Sequence, residues 1–179
     1  MKKLEQAFFL FLYYGIFRYL PVSFSHCGGG WARRLRFWAC SHIFEYCGKG
    51  ANIERNVNFG RGDKIRIGEN SGLGINCVIP NGSIIGRDVM MGPNCYIHSI
   101  NHKFDRTDIP MIQQGITTPK VIIIGNDVWI GKDVTIMPGR TIANGTIVAA
   151  RSVLTKDFPE YSIVGGNPAK LIRSRLQKK

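Results

Sequence analysis

Aliphatic residues return at every sixth position along most of this chain. One frame runs Ile67, Leu73, Ile79, Ile85, Met91, Ile97, and a second runs Ile124, Ile130, Ile136, Ile142, Val148, Leu154. Glycine follows directly at Gly68, Gly74, Gly86, Gly92, Gly125 and Gly131. Two residues before the aliphatic position the side chain is mostly small or β-branched, as in Ser71, Cys77, Ser83, Val89, Cys95, Val128 and Val134. Asn, Asp or Gly comes after it: Asn70, Asn76, Asp88, Asn94, Asp127, Asp133, Gly145. A helix would repeat every ~3.6 residues and a plain strand every second one, so a period of six calls for a short strand and a corner. Positions i−2 and i then share the inner face, while Asn, Asp and Gly accept the bent backbone of the turn. Three such units close a triangular coil of about eighteen residues, and coils stack as parallel strands ~4.8 Å apart. A rougher copy at Ala51–Ile53 and Val57–Gly60 precedes a two-residue insertion. The chain thus holds about fourteen hexads, which predicts between about four and five coils.

The two frames are out of phase, because Ile97 and Ile124 stand 27 positions apart. Residues 98–121 must therefore leave the prism as a loop, and a loop of that length within a regular solenoid usually carries function. It contains Asn101-His102-Lys103-Phe104-Asp105, then Pro110, Gly115 and Pro119. His98, on the last hexad before the loop, reads as structural, as does Asn76 on its corner.

The first fifty residues do not share the period. Ala7 to Phe17 is apolar and aromatic between Lys2-Lys3 and Arg18, and its eleven residues fall short of the ~20 that span a bilayer. No small-x-small cleavage site follows it, which argues against a signal peptide. An amphipathic helix packed on the domain is favoured over one lying on a membrane surface. The expected organisation is a helical segment over 1–50, a β domain over 51–157 and a basic tail over 158–179 that forms a short helix.

Charge refines the picture. The 179 residues carry a formal net charge of +12, which raises the question of a nucleic-acid partner. Residues 1–50 hold seven Lys/Arg against two Glu, and 170–179 hold Lys170, Arg173, Arg175, Lys178 and Lys179 without an acid. The body between is close to neutral, so no basic groove is available for nucleic acid; basic ends suit a phosphate-bearing small ligand or an anionic surface. Five cysteines, odd in number and without CxxC spacing, point to free thiols in a reducing cytoplasm rather than to disulfides or zinc. Cys77 and Cys95, eighteen residues apart, are expected to stack on one inner wall, buried and reduced.

From about Gly48 to Arg173 the chain resembles the hexapeptide-repeat acyltransferases, and within them the sugar O-acetyltransferases. The resemblance rests on Ile124-Gly-Asn-Asp-Val-Trp-Ile-Gly131, Ile136-Met-Pro-Gly139, Ser152-Val-Leu-Thr-Lys-Asp157 and Gly166-Asn-Pro-Ala-Lys170, in order and spacing. It implies a left-handed parallel β-helix, a homotrimer with acetyl-CoA bound between neighbouring subunits as co-substrate, and no tightly bound cofactor or metal. The family's catalytic histidine corresponds to His102. A hydroxyl is a poor nucleophile near neutral pH, and an imidazole is suited to take its proton. Asp105 is a candidate to orient His102 or to bind an acceptor hydroxyl. On the donor side the resemblance carries over to Trp129, Gly131, Lys132, Ala150, Thr155 and Lys156, with Arg173 near the nucleotide phosphates. Relatives often have serine where this chain has Lys132, which leaves the backbone N–H there as the oxyanion donor on offer. Residues 1–36, with Trp31-Ala-Arg-Arg-Leu-Arg36, resemble members that modify surface-polysaccharide precursors.

The acceptor stays open between a sugar hydroxyl, an amino sugar and an antibiotic. A γ-type carbonic anhydrase on the same fold needs three histidines on a metal, and only His98 and His102 lie in or near the coils. A non-enzymatic scaffold would need neither the histidine loop nor the late-coil signature.

Overall fold

The computed structural model describes residues 2–177; Lys178 and Lys179 of the basic tail lie outside the described residues. Nearly every strand of the coil is two residues long, with the second residue buried and the first facing out, as in Arg66–Ile67, Ile84–Ile85 and Trp129–Ile130. The residue two places earlier also points inward, so Ile65, Ser71, Cys77, Val89, Cys95 and Val134 join the aliphatic positions in one continuous core. At the corners, Asn56, Asn70, Asn76, Asp88, Asn94, Asp127 and Asp133 all take φ between 52° and 61°. That is the left-handed region which Asn and Asp tolerate better than most side chains. Just before the corner the next coil comes very close. A Cβ at Gly74 would lie 2.1 Å from the Gly92 carbonyl oxygen, so no side chain fits there.

Three parallel sheets form the faces of the prism. The first face stacks Tyr46–Cys47, Arg66–Ile67, Ile84–Ile85, Ile123–Ile124 and Thr141–Ile142, and Phe158 bridges to Ile142 as a sixth rung. The second stacks Asn52–Ile53, Gly72–Leu73, Met90–Met91, Trp129–Ile130, Ile147–Val148 and Ser162–Gly166. The third stacks Tyr96–Ile97, Thr135–Ile136 and Val153–Leu154, extended by bridges through Val78 to Asn58. Arg66 pairs with Ile84, 18 positions on, whereas Ile84 pairs with Ile123, 39 positions on; 39 − 18 leaves 21 residues outside the prism. These 21 residues belong to the expected loop, and the ladder closes again behind them in register.

Two expectations are corrected. The first two faces carry six rungs rather than four to five, because Tyr46–Cys47 and Ser162–Gly166 join the ladder without following the hexad pattern. The prism therefore runs past residue 157. The tail also forms no helix. Ser162–Gly166 and Ala169–Ser174 make an antiparallel hairpin, turning at Gly166, where φ is 103°. A last parallel rung leaves its edge unpaired, and the returning strand of the hairpin supplies those hydrogen bonds, a demand that a helix could not meet.

The other end of the prism is closed by α1 (Lys2–Gly15) and α2 (Gly29–Ile43). Phe9, Tyr13 and Phe17 pack with Ala39, Cys40, Ile43 and Phe44 onto Phe59 and the first coil. The Tyr13 hydroxyl donates to the Val57 carbonyl at 3.0 Å, and Tyr14 receives the Phe59 amide at 3.0 Å. The strongest tie is Arg36, fully buried on α2. Its Nε donates to the Ile53 carbonyl at 2.6 Å, Nη1 donates to the Pro21 carbonyl at 2.9 Å, and Nη2 lies 3.5 Å from the Glu54 carboxylate. Burial alone would raise the Glu54 carboxyl, but hydrogen bonds from Ser23, Asn52 and the Arg55 amide outweigh it and hold the group below its usual range. The helical segment is thus packed on the domain, the favoured alternative.

Two tests follow from this packing. Arg36→Met strands a buried carboxylate and should destabilise the fold by about 3–5 kcal/mol in urea unfolding. Since the folded Glu54 titrates below its unfolded value, its contribution is full above the unfolded carboxylate range and is lost as pH falls through the folded pKa. The wild type should therefore lose stability below about pH 4 by more than Glu54→Gln does. Among the thiols, Cys27 is exposed while Cys40, Cys77 and Cys95 are buried, and all five are free. Hydrogen bonding to Cys95 and burial raise the Cys77 thiol, and burial raises Cys40. A thiol reagent should therefore modify Cys27 in the native protein and those three only on unfolding.

Candidate active site

The 21 extra residues leave at the corner between the third and first faces and form an arm of two antiparallel legs. Lys120 N donates to the Ser99 carbonyl at 2.8 Å, Thr117 N to Asn101 at 2.8 Å, and Lys103 N to Gly115 at 3.0 Å, with His102 bridged to Ile116. At the tip, the Gln114 side chain accepts from the Arg106 amide at 3.1 Å and donates to the Arg106 and Ile109 carbonyls at 2.8 and 3.1 Å. Pro110 precedes a single 3-10 turn, Met111–Gln113. The arm is therefore an ordered structure held by its own hydrogen bonds.

His102 sits on the outgoing leg with its side chain exposed. Its backbone is held by the bridge, while the imidazole has no hydrogen-bond partner within the protomer among the described residues. Asp105 is likewise exposed, three residues along, and is not bonded to His102. The His98 ring packs at a tilt against Tyr96 with centroids 4.5 Å apart, and its amide donates to the Ile136 carbonyl, a structural place in the ladder.

The donor-side residues divide between two corners and a face. Gly131, Lys132 and Ala150 lie along the corner between the second and third faces. There a Cβ at Gly131 would lie 2.6 Å from Ala150 N, and one at Gly92 would lie 2.6 Å from Lys132 N. The Lys132 N–H makes no hydrogen bond among the described residues. Its side chain turns to Asp133, with Nζ 3.6 Å from Oδ2. The same corner carries a polar ladder, Asn56 to Asn76, Asn76 to Asn94 and Asn94 to Asp133, each at 3.0 Å, so Asn76 is structural. The Asn94 hydrogen bond, with Lys132 and Arg151 nearby, holds the Asp133 carboxyl below its usual range. Trp129 faces out of the second face, about half exposed, and Arg173 lies on the hairpin paired with Ile163. Thr155 and Lys156 lie on the corner from which the arm leaves, with Lys156 Nζ 5.5 Å from the Phe158 ring. Thr155 joins Asn101 and Thr117 of the arm around a cavity of about 290 Å³. Thr155 is thus brought to the base of the arm, whereas Lys132 and Ala150 stand one whole face away from it.

A second cavity, of about 370 Å³, opens on the second face beside the Lys132 corner, between Phe24 and the outward residues Asn52, Glu54, Gly72, Gly74 and Met90. The buried Asn52 Oδ1 has no hydrogen-bond partner among the described residues. Reasoning from the hexads missed this cleft, although they hold a signal: Glu54 puts a carboxylate directly after its aliphatic residue, where the later coils so often have glycine.

A prism of stacked six-residue units, opened between Ile97 and Ile123 for an arm, is the architecture of a hexapeptide-repeat protein. The family profile "Bacterial transferase hexapeptide (six repeats)" matches residues 64–99 and 122–156, on either side of the arm. The chain belongs to this hexapeptide-repeat acyltransferase family. It is 34% identical over 137 residues to the galactoside O-acetyltransferase of Escherichia coli K12, covering 73% of this chain and 64% of that protein. It is 57% identical over 54 residues to a chloramphenicol acetyltransferase of Agrobacterium fabrum, covering 30% and 26% respectively. Among solved structures, the hexapeptide-repeat acetyltransferase of Vibrio cholerae complexed with acetyl coenzyme A superposes with a TM-score of 0.69 at 33% identity, covering 78% of this chain and 75% of that one. The chain spans between about a quarter and two thirds of the length of such curated relatives.

Gln114→Ala removes all three side-chain bonds at the arm tip. Limited trypsin cleavage after Arg106 should accelerate about tenfold, while the melting temperature of the prism stays within about 1 °C, because the arm opens without the core.

Proposed function

We propose that the protein transfers the acetyl group of acetyl-CoA to a hydroxyl of a saccharide, with His102 as general base. The observation that carries this reading is the unpartnered imidazole of His102, held on a hydrogen-bonded arm that interrupts an otherwise regular prism. The imidazole takes the proton of the acceptor hydroxyl as the oxygen attacks the thioester carbonyl. The resulting oxyanion accepts a hydrogen bond from the free Lys132 N–H, which needs no side-chain hydroxyl at that position. Collapse breaks the C–S bond, and the imidazolium returns its proton to the departing thiolate, leaving an acetyl ester and CoA. Trp129, Gly131, Ala150, Thr155 and Lys156 are assigned to the path of the pantetheine arm, and Arg173 to the nucleotide phosphates.

His102 and Lys132 belong to different corners of one protomer. We therefore assign the complete site to two neighbouring copies in a homotrimer, the arm of one reaching the Lys132 corner of the next. This also covers exposed outward residues such as Met90, Ile123 and Trp129. The acceptor occupies the cleft at Phe24, where an aromatic ring, the Asn52 carbonyl and the Glu54 carboxylate suit a sugar's apolar face and hydroxyls. Asp105 is assigned to the acceptor side. The galactoside O-acetyltransferase favours a sugar; the 57% identity to a chloramphenicol enzyme supports an antibiotic acceptor as the second reading. Free thiols suit a reaction in a reducing cytoplasm, and the likeness of residues 1–36 to members that modify surface-polysaccharide precursors supports such precursors as acceptors.

With an acceptor found by screening nucleotide sugars, simple sugars and chloramphenicol for CoA release, His102→Ala should lower the saturated rate by about two to four orders of magnitude. Acetyl-CoA affinity should barely change. Arg173→Ala should do the reverse, weakening CoA binding while the saturated rate holds. Retention of more than about a tenth of the rate in His102→Ala would remove the base from this scheme.

A further inference from the structure

The outer side of α1 is lined by apolar residues, with the exposed Glu5 at its edge. Its inner face, with Phe9 and Tyr13, is spent on the prism. The opposite face presents Leu4, Ala7, Phe8, Phe11 and Gly15, spaced at helical intervals. Leu4 is 79% exposed, Phe8 55% and Phe11 72%. Beyond the helix end Ile16 is half exposed, and on α2 the partly exposed Trp38 packs edge-on against Phe9 at 4.9 Å. A surface helix normally turns charge to solvent. Here roughly 600 Å² of aliphatic and aromatic surface is left open, the upper end of what a monomer exposes.

Charge and size decide what covers it. Residues 1–50 hold seven Lys/Arg against two Glu, and with Arg36 buried against Glu54 the side chains of Arg33, Arg34 and Lys49 stand exposed. Two facing copies would bring these like charges together over less than the ~800 Å² per partner of a standard interface. An anionic bilayer attracts them. At 14 residues, α1 is about 21 Å long and lies short of the ~30 Å hydrocarbon core. No helix of the described residues is long and apolar enough to cross a membrane. We infer that α1 docks the protein in the plane of an anionic phospholipid surface, Leu4, Phe8 and Phe11 entering the boundary between headgroups and acyl chains. The basic residues of the helical cap sit against the headgroups. This goes beyond the acetyl-transfer reading and does not depend on it.

The test is sedimentation of the full-length protein with sucrose-loaded vesicles, one set of phosphatidylcholine with about a third phosphatidylglycerol, the other of phosphatidylcholine alone. The wild type should bind the anionic vesicles at least about ten times more tightly than the neutral ones. Phe8→Gln/Phe11→Gln, which changes only exposed side chains, should keep the wild-type melting curve and assembly size and lose at least about tenfold in vesicle affinity. Wild-type protein left in the supernatant, equal binding to both vesicle sets, or unchanged binding by the double variant would each overturn the proposal. So would a smaller assembly for the double variant in sedimentation velocity, since that outcome makes the face a contact between copies. All of these readouts are independent of acetyl transfer.

Discussion

Everything in this fold depends on strands too short to stand alone. A two-residue strand makes only a couple of ladder bonds, so each rung is stable only when the coils above and below lie in register. Register in turn requires every corner to turn alike. The corner Asn and Asp residues at positive φ meet that requirement, as do the glycines whose hydrogen faces the next coil's backbone at distances that exclude a side chain. The hexad pattern in the sequence is the trace of this constraint. An insertion can be accommodated only at a corner, and only if the chain returns to the same register; the arm does this between Ile97 and Ile123.

A stack of parallel rungs has two open ends, and the chain closes each by different chemistry. At the start, aromatic residues of two helices cover the aliphatic bore, fixed by a buried arginine shared among three carbonyls and a carboxylate. At the finish, the hairpin returns on the last rung and satisfies its edge. The first closure combines apolar cover with an ion pair whose partners cannot be removed singly without loss. The second consists of backbone hydrogen bonds. Both closures also bear on the candidate site: Glu54 lines the cleft on the second face, and the hairpin carries Arg173.

The candidate site follows from the same geometry. Residues on one corner are stacked coil upon coil, which aligns Gly131, Lys132 and Ala150 along one line, with the Lys132 amide free of partners among the described residues. Residues on different corners are separated by a face. The arm's imidazole and the free amide are therefore apart in the protomer, although fewer than thirty-five residues separate them in sequence.

The prism was legible in the order of the residues alone. The period of six, the inward pairing of positions i−2 and i, the corners at Asn and Asp, the exit of the arm after Ile97 and the burial of Cys77 and Cys95 are local consequences of hexads and could be read residue by residue. The arm that carries His102 was legible as well, because a break in phase marks a loop. What the sequence did not show lies where no period operates. The rungs at Tyr46 and Ser162, the hairpin in place of a tail helix, the Arg36–Glu54 tie and the cleft beside Phe24 exist only because segments far apart in sequence meet an open edge or end of the stack. Which face of α1 is buried was likewise settled by tertiary contact: from Ala7 to Leu12 the helix is apolar all round, so the prism chose Phe9 and Tyr13 and left Leu4, Phe8 and Phe11 outside.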